Sequence, residues 1–272
     1  MSFDSAETSL AQGAPLRLYK FSREQLAWYY TSGDRPVAHL AHTYLPVAGG
    51  IADDGIRQTG EASADVLTLT APASLPVAQL YRATPPANEV TLTVFFRHVN
   101  DTGYLVGFIG NVRIVRWKEI DRCEIVASAI TNAMLTTGLR CTWGVACYKA
   151  LYSASCGVER EAWKVPATVA SMNGQVINCA EAASETAGHF VGGYVEWTSG
   201  NDAIERRSIE AHNGEALTLF GGTYGLSVGA SVRLYPGCRQ TPAGCKQFGN
   251  FMRYGGVPML PGVSPLDGRN IF

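Results

Sequence analysis

Cysteine is the residue type in this chain with the clearest capacity for chemistry, and four of its seven copies form two close pairs. Cys147 and Cys156 have eight residues between them, and Cys238 and Cys245 have six. Two short loops that each supply two thiolates can hold one metal centre when the fold brings the loops together. Glycines stand directly beside three of these cysteines, at Gly157, Gly237 and Gly244. Because glycine has no Cβ, backbone amides there can approach and hydrogen-bond the sulfurs, which favours a sulfur-rich cofactor.

The residues alone leave two metal types open. Four thiolates suit either zinc or an iron-sulfur cluster, because both accept a tetrahedral arrangement of sulfur. Zinc pairs usually have about two to four residues between ligands, so the wider loops here fit a larger cluster better. Cys141 is a further candidate, since it precedes Cys147 by only six positions and could replace one of the four ligands. Cys123 and Cys179 have apolar neighbours and are interpreted as small buried hydrophobes.

Composition sets the broad class of the chain. Its 272 residues are enough for two domains with cores of their own. A formal net charge of −1 gives no basis for binding nucleic acid or an anionic membrane. The N-terminus shows no export signal and no segment approaches the length of a membrane span. An odd number of cysteines without such a signal favours thiolate ligation in a reducing compartment over disulfides.

Short runs of β-branched and aromatic residues, broken by Gly, Pro, Asn and Asp, predict a mainly β fold with two barrel or sandwich domains. We expect an N-terminal domain over 1–138 and a C-terminal region over 139–272, which contains a second barrel at about 165–236 and an extended tail. In the run from Val90, alternation puts Val90, Leu92, Val94 and Phe96 on one face. The run Val77–Tyr81 is also interpreted as a strand.

In the second half, the dipeptides Asn173-Gly174 and Asn213-Gly214 lie between apolar runs and predict hairpins. Strands are expected there at Thr168–Met172, Gln175–Ile177, Phe190–Trp197, Arg206–Ala211, Ala216–Phe220 and Ser231–Tyr235. The two cysteine pairs bracket this set of strands. A metal centre built from both pairs would therefore close the C-terminal domain at its neck.

Catalytic constellations are not evident in the sequence. His39 and His42 are three positions apart but lack a third ligand or a nearby carboxylate, and are interpreted as structural. Neighbouring acidic residues among Gly and Asn are interpreted as solvated loop charge. No nucleophile elbow, phosphate-binding loop or zinc-hydrolase helix occurs. The sequence therefore predicts a protein that is not an enzyme.

Three segments carry a resemblance to a known family. They are Cys147-Tyr-Lys-Ala-Leu-Tyr-Ser-Ala-Ser-Cys156-Gly, Gly237-Cys-Arg-Gln-Thr-Pro-Ala-Gly-Cys245-Lys-Gln-Phe-Gly-Asn250 and Tyr254-Gly-Gly-Val-Pro-Met-Leu-Pro261. The chain resembles the tail-tip hub family of long-tailed phages, which includes minor tail protein L of phage lambda and the hub protein of gene transfer agents. The specific part of the resemblance is in residues 141–262. One difference from the family pattern there is Tyr152-Ser153, which replaces the Gly-Asp step common in the family.

The resemblance implies a virion protein with two hub-type domains, assembled in the cytoplasm of the bacterial host. It implies that Cys147, Cys156, Cys238 and Cys245 ligate an iron-sulfur cluster of the 4Fe-4S type. It also implies a homotrimeric ring at the tail tip or baseplate, between the distal tail protein ring and a central fibre or receptor-binding tail protein.

Two alternatives remain beside this reading: a zinc-stapled binding module and an iron-sulfur redox enzyme. A cluster with all four cysteines ligated offers no open iron to a substrate, which disfavours the enzyme. For the tail, we expect Phe248 and Tyr254 to face the cluster, and residues from Met259 onward to reach a neighbouring tail protein.

Overall fold

The computed structural model describes residues 7–9, 13–56, 65–99, 103–135, 143–199 and 203–260. The chain divides into two units, one of residues 1–136 with 200–205 and one of residues 137–199 with 206–272. Strands dominate both units, and each is built on one sheet. The prediction of a mainly β fold is confirmed. Within the described ranges, no helix is long and apolar enough to cross a membrane.

The first unit contains a nine-stranded sheet in the order β3-β4-β2-β1-β7-β8-β9-β6-β5. Its strands are β1 (Pro15–Arg23), β2 (Leu26–Thr31), β3 (Val37–His39), β4 (His42–Pro46), β5 (Ala52–Asp53), β6 (Val66–Pro72), β7 (Thr91–His98), β8 (Tyr104–Arg116) and β9 (Arg122–Ala129). A helix α1 (Pro76–Gln79) and a 3-10 helix (Ile130–Leu135) connect or follow them. Most pairings are antiparallel, whereas β2 and β4 run parallel.

The core of this unit forms as the alternation predicts. Val90, Leu92 and Val94 are fully buried, and Phe96 packs partly buried against the same cluster. The strand predicted at Val77–Tyr81 is wrong, because these residues begin with the helix α1. Pro76 occupies the first helical turn, where its fixed φ suits a helix and its missing N–H costs nothing. Val77 and Ala78 are nevertheless buried in the core, so the apolar character of the run was informative.

His39 and His42 face each other across the β3–β4 hairpin and do not share a helical face. His39 is 6% exposed and its ring lies edge-on to those of Tyr44, Phe95 and Tyr104. Among the described residues, its Nε2 has no hydrogen-bond partner. Burial lowers the pKa of His39, and the positive charge of Arg97 lowers it further. These contacts support a structural role for this histidine.

Lowering the pH below about 6.5, the ordinary pKa of histidine, is expected to destabilise the first unit through His39. The pKa of His39 is lower in the folded state than in the unfolded state. Between the two pKa values the unfolded state therefore binds more protons, and the free energy of unfolding decreases as the pH is lowered. The free energy of unfolding measured from pH 8 to 5 should fall less steeply in His39→Phe than in the wild type. Equal slopes in the two proteins would contradict this assignment.

The second unit is built on a seven-stranded antiparallel sheet in the order β10-β16-β13-β14-β15-β12-β11. Its strands are β10 (Val165–Thr168), β11 (Ser171–Asn173), β12 (Val176–Asn178), β13 (Tyr194–Thr198), β14 (Ile204–Asn213), β15 (Ala216–Leu219) and β16 (Ser231–Tyr235). A helix α2 (Pro242–Gln247) follows, and 3-10 helices span Glu161–Trp163, Ala180–Ser184 and Phe251–Arg253.

Both Asn-Gly dipeptides form the predicted hairpins, β11–β12 and β14–β15. Gly174 and Gly214 have φ of +59° and +56°, the left-handed conformation that such turns require. The strand predicted at Thr168–Met172 is two strands, β10 and β11. The core of the unit is apolar and fully enclosed, with members that include Val169, Ile177, Phe190, Val195, Leu217, Leu219 and Leu234.

Candidate metal centre

The strand pairing explains how the two cysteine pairs meet. In the antiparallel pair β10–β16, Val165 at the start of β10 lies opposite Leu234 near the end of β16. The chain that enters β10 and the chain that leaves β16 are therefore at the same end of the sheet. Cys147 and Cys156 lie on the segment before β10, and Cys238 and Cys245 lie on the segment after β16.

All four predicted cysteines line one cavity at this end of the sheet. The space among the lining residues is about 340 Å³, counting the part open to solvent. Cys156 and Cys245 are 9% and 8% exposed, and Cys147 and Cys238 are half-buried. Phe248, 8% exposed, and Tyr254 also line this cavity, and their place over a cluster stays a prediction.

Among the described residues, no group of three or more His, Cys, Asp or Glu side chains could hold a metal ion. A single zinc ion needs sulfurs at about 2.3 Å, which places them about 3.8 Å from one another in a tetrahedron. The ligation predicted from the sequence therefore stays a prediction.

Three of the four sulfurs have an N–H donor directed at them. The backbone N–H of Gly255 donates to Cys147 Sγ at 3.3 Å, and that of Gln240 to Cys238 Sγ at 3.4 Å. The Asn250 side chain donates to Cys156 Sγ at 3.6 Å. The Cys245 thiol is itself the donor, to the Asn250 carbonyl at 3.1 Å. Such outer contacts orient sulfur ligands and stabilise their negative charge.

The glycines beside the cysteines do not supply the predicted hydrogen bonds to sulfur and have other roles. Gly244 donates its N–H to Thr241 Oγ1, the N-cap of α2, at 3.1 Å. Gly157 packs directly against the Arg253 guanidinium, which a Cβ at that position would overlap. Gly237 approaches the backbone of Val191 and Gly193. The amide donors to sulfur come instead from positions two residues after Cys238 and ten residues after Cys245.

The loop between the first pair is fixed by Tyr152 and Ser153, the two residues that depart from the family pattern. Tyr152 has φ of +64°, a left-handed conformation that is usual for glycine. Its hydroxyl donates to the Pro236 carbonyl at 2.9 Å, and its ring contacts Phe248 edge-on. Ser153 Oγ accepts from the backbone N–H of Cys156 at 3.2 Å. The loop is thus tied to the strand exit that precedes Cys238.

A buried carboxylate anchors the same loop to the sheet. Glu196 on β13 is fully buried and lies 3.2 Å from Arg160, 2.7 Å from Arg206 and 3.2 Å from Arg233. Arg206 and Arg233 belong to the neighbouring strands β14 and β16, whereas Arg160 follows Cys156 by four positions. Since one carboxylate joins these three strands to the cysteine loop, it positions the first pair relative to the second.

Replacing this carboxylate in Glu196→Gln is expected to destabilise the second unit by about 2–3 kcal/mol. The three guanidinium groups would lose their common counter-charge, but each is about a third exposed, which reduces the cost below that of a fully buried pair. Urea denaturation checks the value. Glu210→Gln, an exposed change on β14, is the matched control and should stay within about 0.5 kcal/mol of the wild type. Equal stability of the two variants would contradict the anchoring role.

The sulfurs also influence the protonation of the site. Burial raises the pKa of the Cys245 thiol, and the nearby Cys147, Cys238 and Cys156 raise it further. Burial raises the pKa of Tyr254, and the nearby Cys147, Cys245 and Cys238 raise it further. A thiol must lose its proton to ligate a metal, so binding at this site would release protons.

Two cations also line the cavity, Lys149 and Arg253. Lys149 Nζ donates to the backbone carbonyl of Arg253 at 2.6 Å, which joins the first cysteine loop to the segment after Cys245. Positive charge beside a cysteine favours its thiolate form. The two cations therefore offset part of the negative charge that a centre of thiolate ligands would carry.

The other cysteines have separate places. Cys123 is 2% exposed in the core of the first unit, and Cys179 is fully buried in the core of the second. Their interpretation as buried hydrophobes is confirmed. Cys141 lies outside the described residues, so its role as a further candidate stays a prediction. The tail from Met259 is described only to residue 260.

Sequence reasoning missed Asn250, Glu196, Lys149 and Arg253. Asn250 belongs to the Phe-Gly-Asn segment that carries part of the resemblance, but its contacts were not foreseen. Glu196 had a signal of its own, since it stands between Val195 and Trp197 in an apolar strand. A charged residue in such a position needs a buried partner, which the sequence did not identify.

Parts of this chain are similar to known proteins in sequence, and the whole chain is similar in fold. Residues 188–263 match the model of a family described as "Phage conserved hypothetical protein BR0599". The match includes the second cysteine pair but not the first. An uncharacterized protein of Xylella fastidiosa (strain 9a5c) is 27% identical to this chain over 187 residues, which is 63% of the chain. The chain spans 38% of the length of that relative.

Among solved structures, a chain in the virion of a native gene transfer agent (GTA) particle has a similar fold, with a TM-score of 0.76. The likeness covers 99% of this chain and 97% of that chain, at 17% sequence identity. At this level of identity the likeness concerns the fold. The chain therefore shares its fold with a chain of a GTA virion, and four cysteines line one cavity in its second unit.

Proposed function

We propose that this chain is a structural protein of a phage or phage-like virion and serves as a hub of the tail tip or baseplate. The observation that carries the proposal is the fold likeness to a chain of a GTA virion, which extends over nearly all of both chains. Neither unit is left without a counterpart in the particle protein. The match of residues 188–263 to a phage protein family supports the same class.

The proposed cofactor is a 4Fe-4S cluster held by Cys147, Cys156, Cys238 and Cys245. The site fits such a group in its chemistry, because four sulfurs line one cavity and N–H donors reach three of them. Hydrogen bonds to sulfur and partial burial are the protein features that stabilise such clusters. The eight and six residues between the cysteines of each pair exceed the about two to four that are usual at zinc sites, which favours the cluster over zinc. With four protein ligands the cluster would act as a cross-link of the second unit.

A hub at the end of a tail tube is proposed to be a closed ring of three copies. Closed rotational symmetry presents equivalent surfaces around the tail axis, whereas an open arrangement of the same contacts would grow filaments. The ring would join the distal tail protein ring on one side to a central fibre or receptor-binding protein on the other. A net charge of −1 keeps repulsion between copies small.

Anaerobic purification tests the cofactor. We expect a brown protein with broad visible absorbance and close to four iron and four sulfide per chain, as a 4Fe-4S cluster requires. A colourless protein with one zinc per chain would contradict the cluster and support a structural zinc site. The virion role is tested separately by a map of the assembled particle, in which we expect three copies at the tail tip. A location in the capsid, or a ring with another copy number, would overturn the hub.

A further inference from the structure

Asn250 contacts one cysteine of each pair. Its side-chain Nδ2 donates to the Cys156 carbonyl at 2.8 Å and to Cys156 Sγ at 3.6 Å. Its own backbone N–H donates to the Cys245 carbonyl at 3.1 Å, and its carbonyl accepts from the Cys245 thiol at 3.1 Å. One residue thus holds both the backbone and the sulfur of two cysteines from different loops.

The backbone of Asn250 is fixed by the end of α2. Gly249, with φ of +63°, donates its N–H to the Lys246 carbonyl at 2.9 Å and turns the chain out of the helix. Because the helix end already fixes the backbone of Asn250, its side chain can reach a loop 94 positions earlier at little further cost in entropy. The contact is therefore built into the fold and does not depend on a long flexible side chain.

We propose that Asn250 is a positioning residue that joins the Cys156 loop to the Cys245 helix and holds the four-cysteine site together before a metal centre enters. The inference rests on the proposed function only in taking these cysteines as ligands. An amide suits the position because it supplies donors to a carbonyl and a sulfur at once. A carboxylate there would present acceptors and negative charge to the same two atoms.

Tyr254 and Gly255 contact the segments of the other two cysteines. The Tyr254 hydroxyl reaches the carbonyls of Val145 and Gln240, and the next N–H, of Gly255, donates to Cys147 Sγ. The backbone N–H of Cys147 in turn donates to the Gln240 carbonyl at 2.9 Å. Tyr254 thus links the segments of Cys147 and Cys238 through the Gln240 carbonyl, whereas Asn250 contacts Cys156 and Cys245 directly.

The test compares wild type with Asn250→Ala, Asn250→Asp and the control Gln247→Ala. Gln247 is an exposed residue at the end of α2, the helix that contains Cys245. Its side chain contacts His189 outside the four-cysteine cavity. In metal-free protein, iodoacetamide should alkylate Cys156 faster in Asn250→Ala than in wild type and control, because the contact that covers this cysteine is lost. In anaerobically loaded protein challenged with a ferrous chelator, iron should leave about 10–100-fold faster in the Asn250 variants. Their reduction potential should also fall, because the N–H donor to Cys156 sulfur is lost.

The outcomes distinguish the positioning role of Asn250 from the proposed cofactor. Unchanged alkylation and unchanged iron loss in both Asn250 variants would overturn the positioning role. So would lower stability of the metal-free variants with an unchanged reduction potential, since Asn250 would then support the fold alone. If wild type binds no iron, the proposed cofactor fails, but the alkylation rates still decide whether Asn250 holds the site. Asn250→Asp keeps the volume of the side chain and serves if Asn250→Ala does not fold.

Discussion

Serine at any one of Cys147, Cys156, Cys238 or Cys245 is expected to reduce bound iron to background. Serine preserves the size of the side chain but replaces a soft thiolate by a hydroxyl, a poor ligand for iron-sulfur clusters. Because binding energy at such a site is also folding energy, the second unit should lose stability as well. We expect a loss of roughly 2–5 kcal/mol, as when a native cross-link is removed. Iron analysis and urea denaturation of each variant measure both effects.

Buried cysteines outside the cavity provide the matched controls. Cys123→Ala in the first core and Cys179→Ala in the second should keep their iron and lose only about 1 kcal/mol. Cys141→Ser tests the further candidate ligand. Full iron content in Cys238→Ser would remove that residue from the ligand set. Loss of iron in Cys179→Ala with an intact fold would show that the ligands were wrongly assigned.

Alanine at Gly237 is expected to have the second large effect. A Cβ there would lie 1.9 Å from the Val191 carbonyl oxygen and 2.5 Å from the Gly193 nitrogen. Both neighbours are backbone atoms, so relief requires the turn after β16 to move, and Cys238 is the next residue. We expect a loss of about 3 kcal/mol or more in the second unit, together with weakened iron retention.

Gly144→Ala is the control for this substitution, because a Cβ there meets no atom within 4 Å. Its stability should remain within about 0.5 kcal/mol of the wild type. Urea denaturation and iron content again provide the measurements. A Gly237→Ala protein with wild-type stability would mean that the segment after β16 can shift freely, and the close approach would then have no structural importance.

The parts of the fold that the sequence predicted are those that depend on local chemistry. The Asn-Gly hairpins follow from residues adjacent in the chain, and β16 begins and ends at the predicted Ser231 and Tyr235. Strands β2 to β5 were not predicted, because they are two to six residues long and β2 pairs with β4 in parallel. Pairing of that kind depends on distant contacts more than on the residues of each strand. The helix at Pro76 was missed because apolar burial was mistaken for a strand signal.

The candidate site divides in the same way. The meeting of the cysteine pairs could be predicted, since two pairs that bracket an antiparallel unit leave its sheet together. The residues that arrange them could not, because Asn250 reaches 94 positions back and Glu196 binds an arginine 36 positions earlier. Those contacts depend on how the segments before and after the sheet pack against each other. The sequence shows only which residues are available for this packing.

The position of the four-cysteine cavity also determines how the second unit would respond to tension on its C-terminal end. Val257 donates to the Gly144 carbonyl at 2.8 Å, and Gly255 holds Cys147, so a pull on the chain beyond residue 260 would first strain these contacts. The α2 and Cys238 segments would follow, and β16 would be reached last. If a shared centre joined the four cysteines, it would therefore keep β16 from separating from the sheet. If the proposed cluster joined these cysteines, tension on this end of the unit would fall on the cross-link before it reached the strand hydrogen bonds.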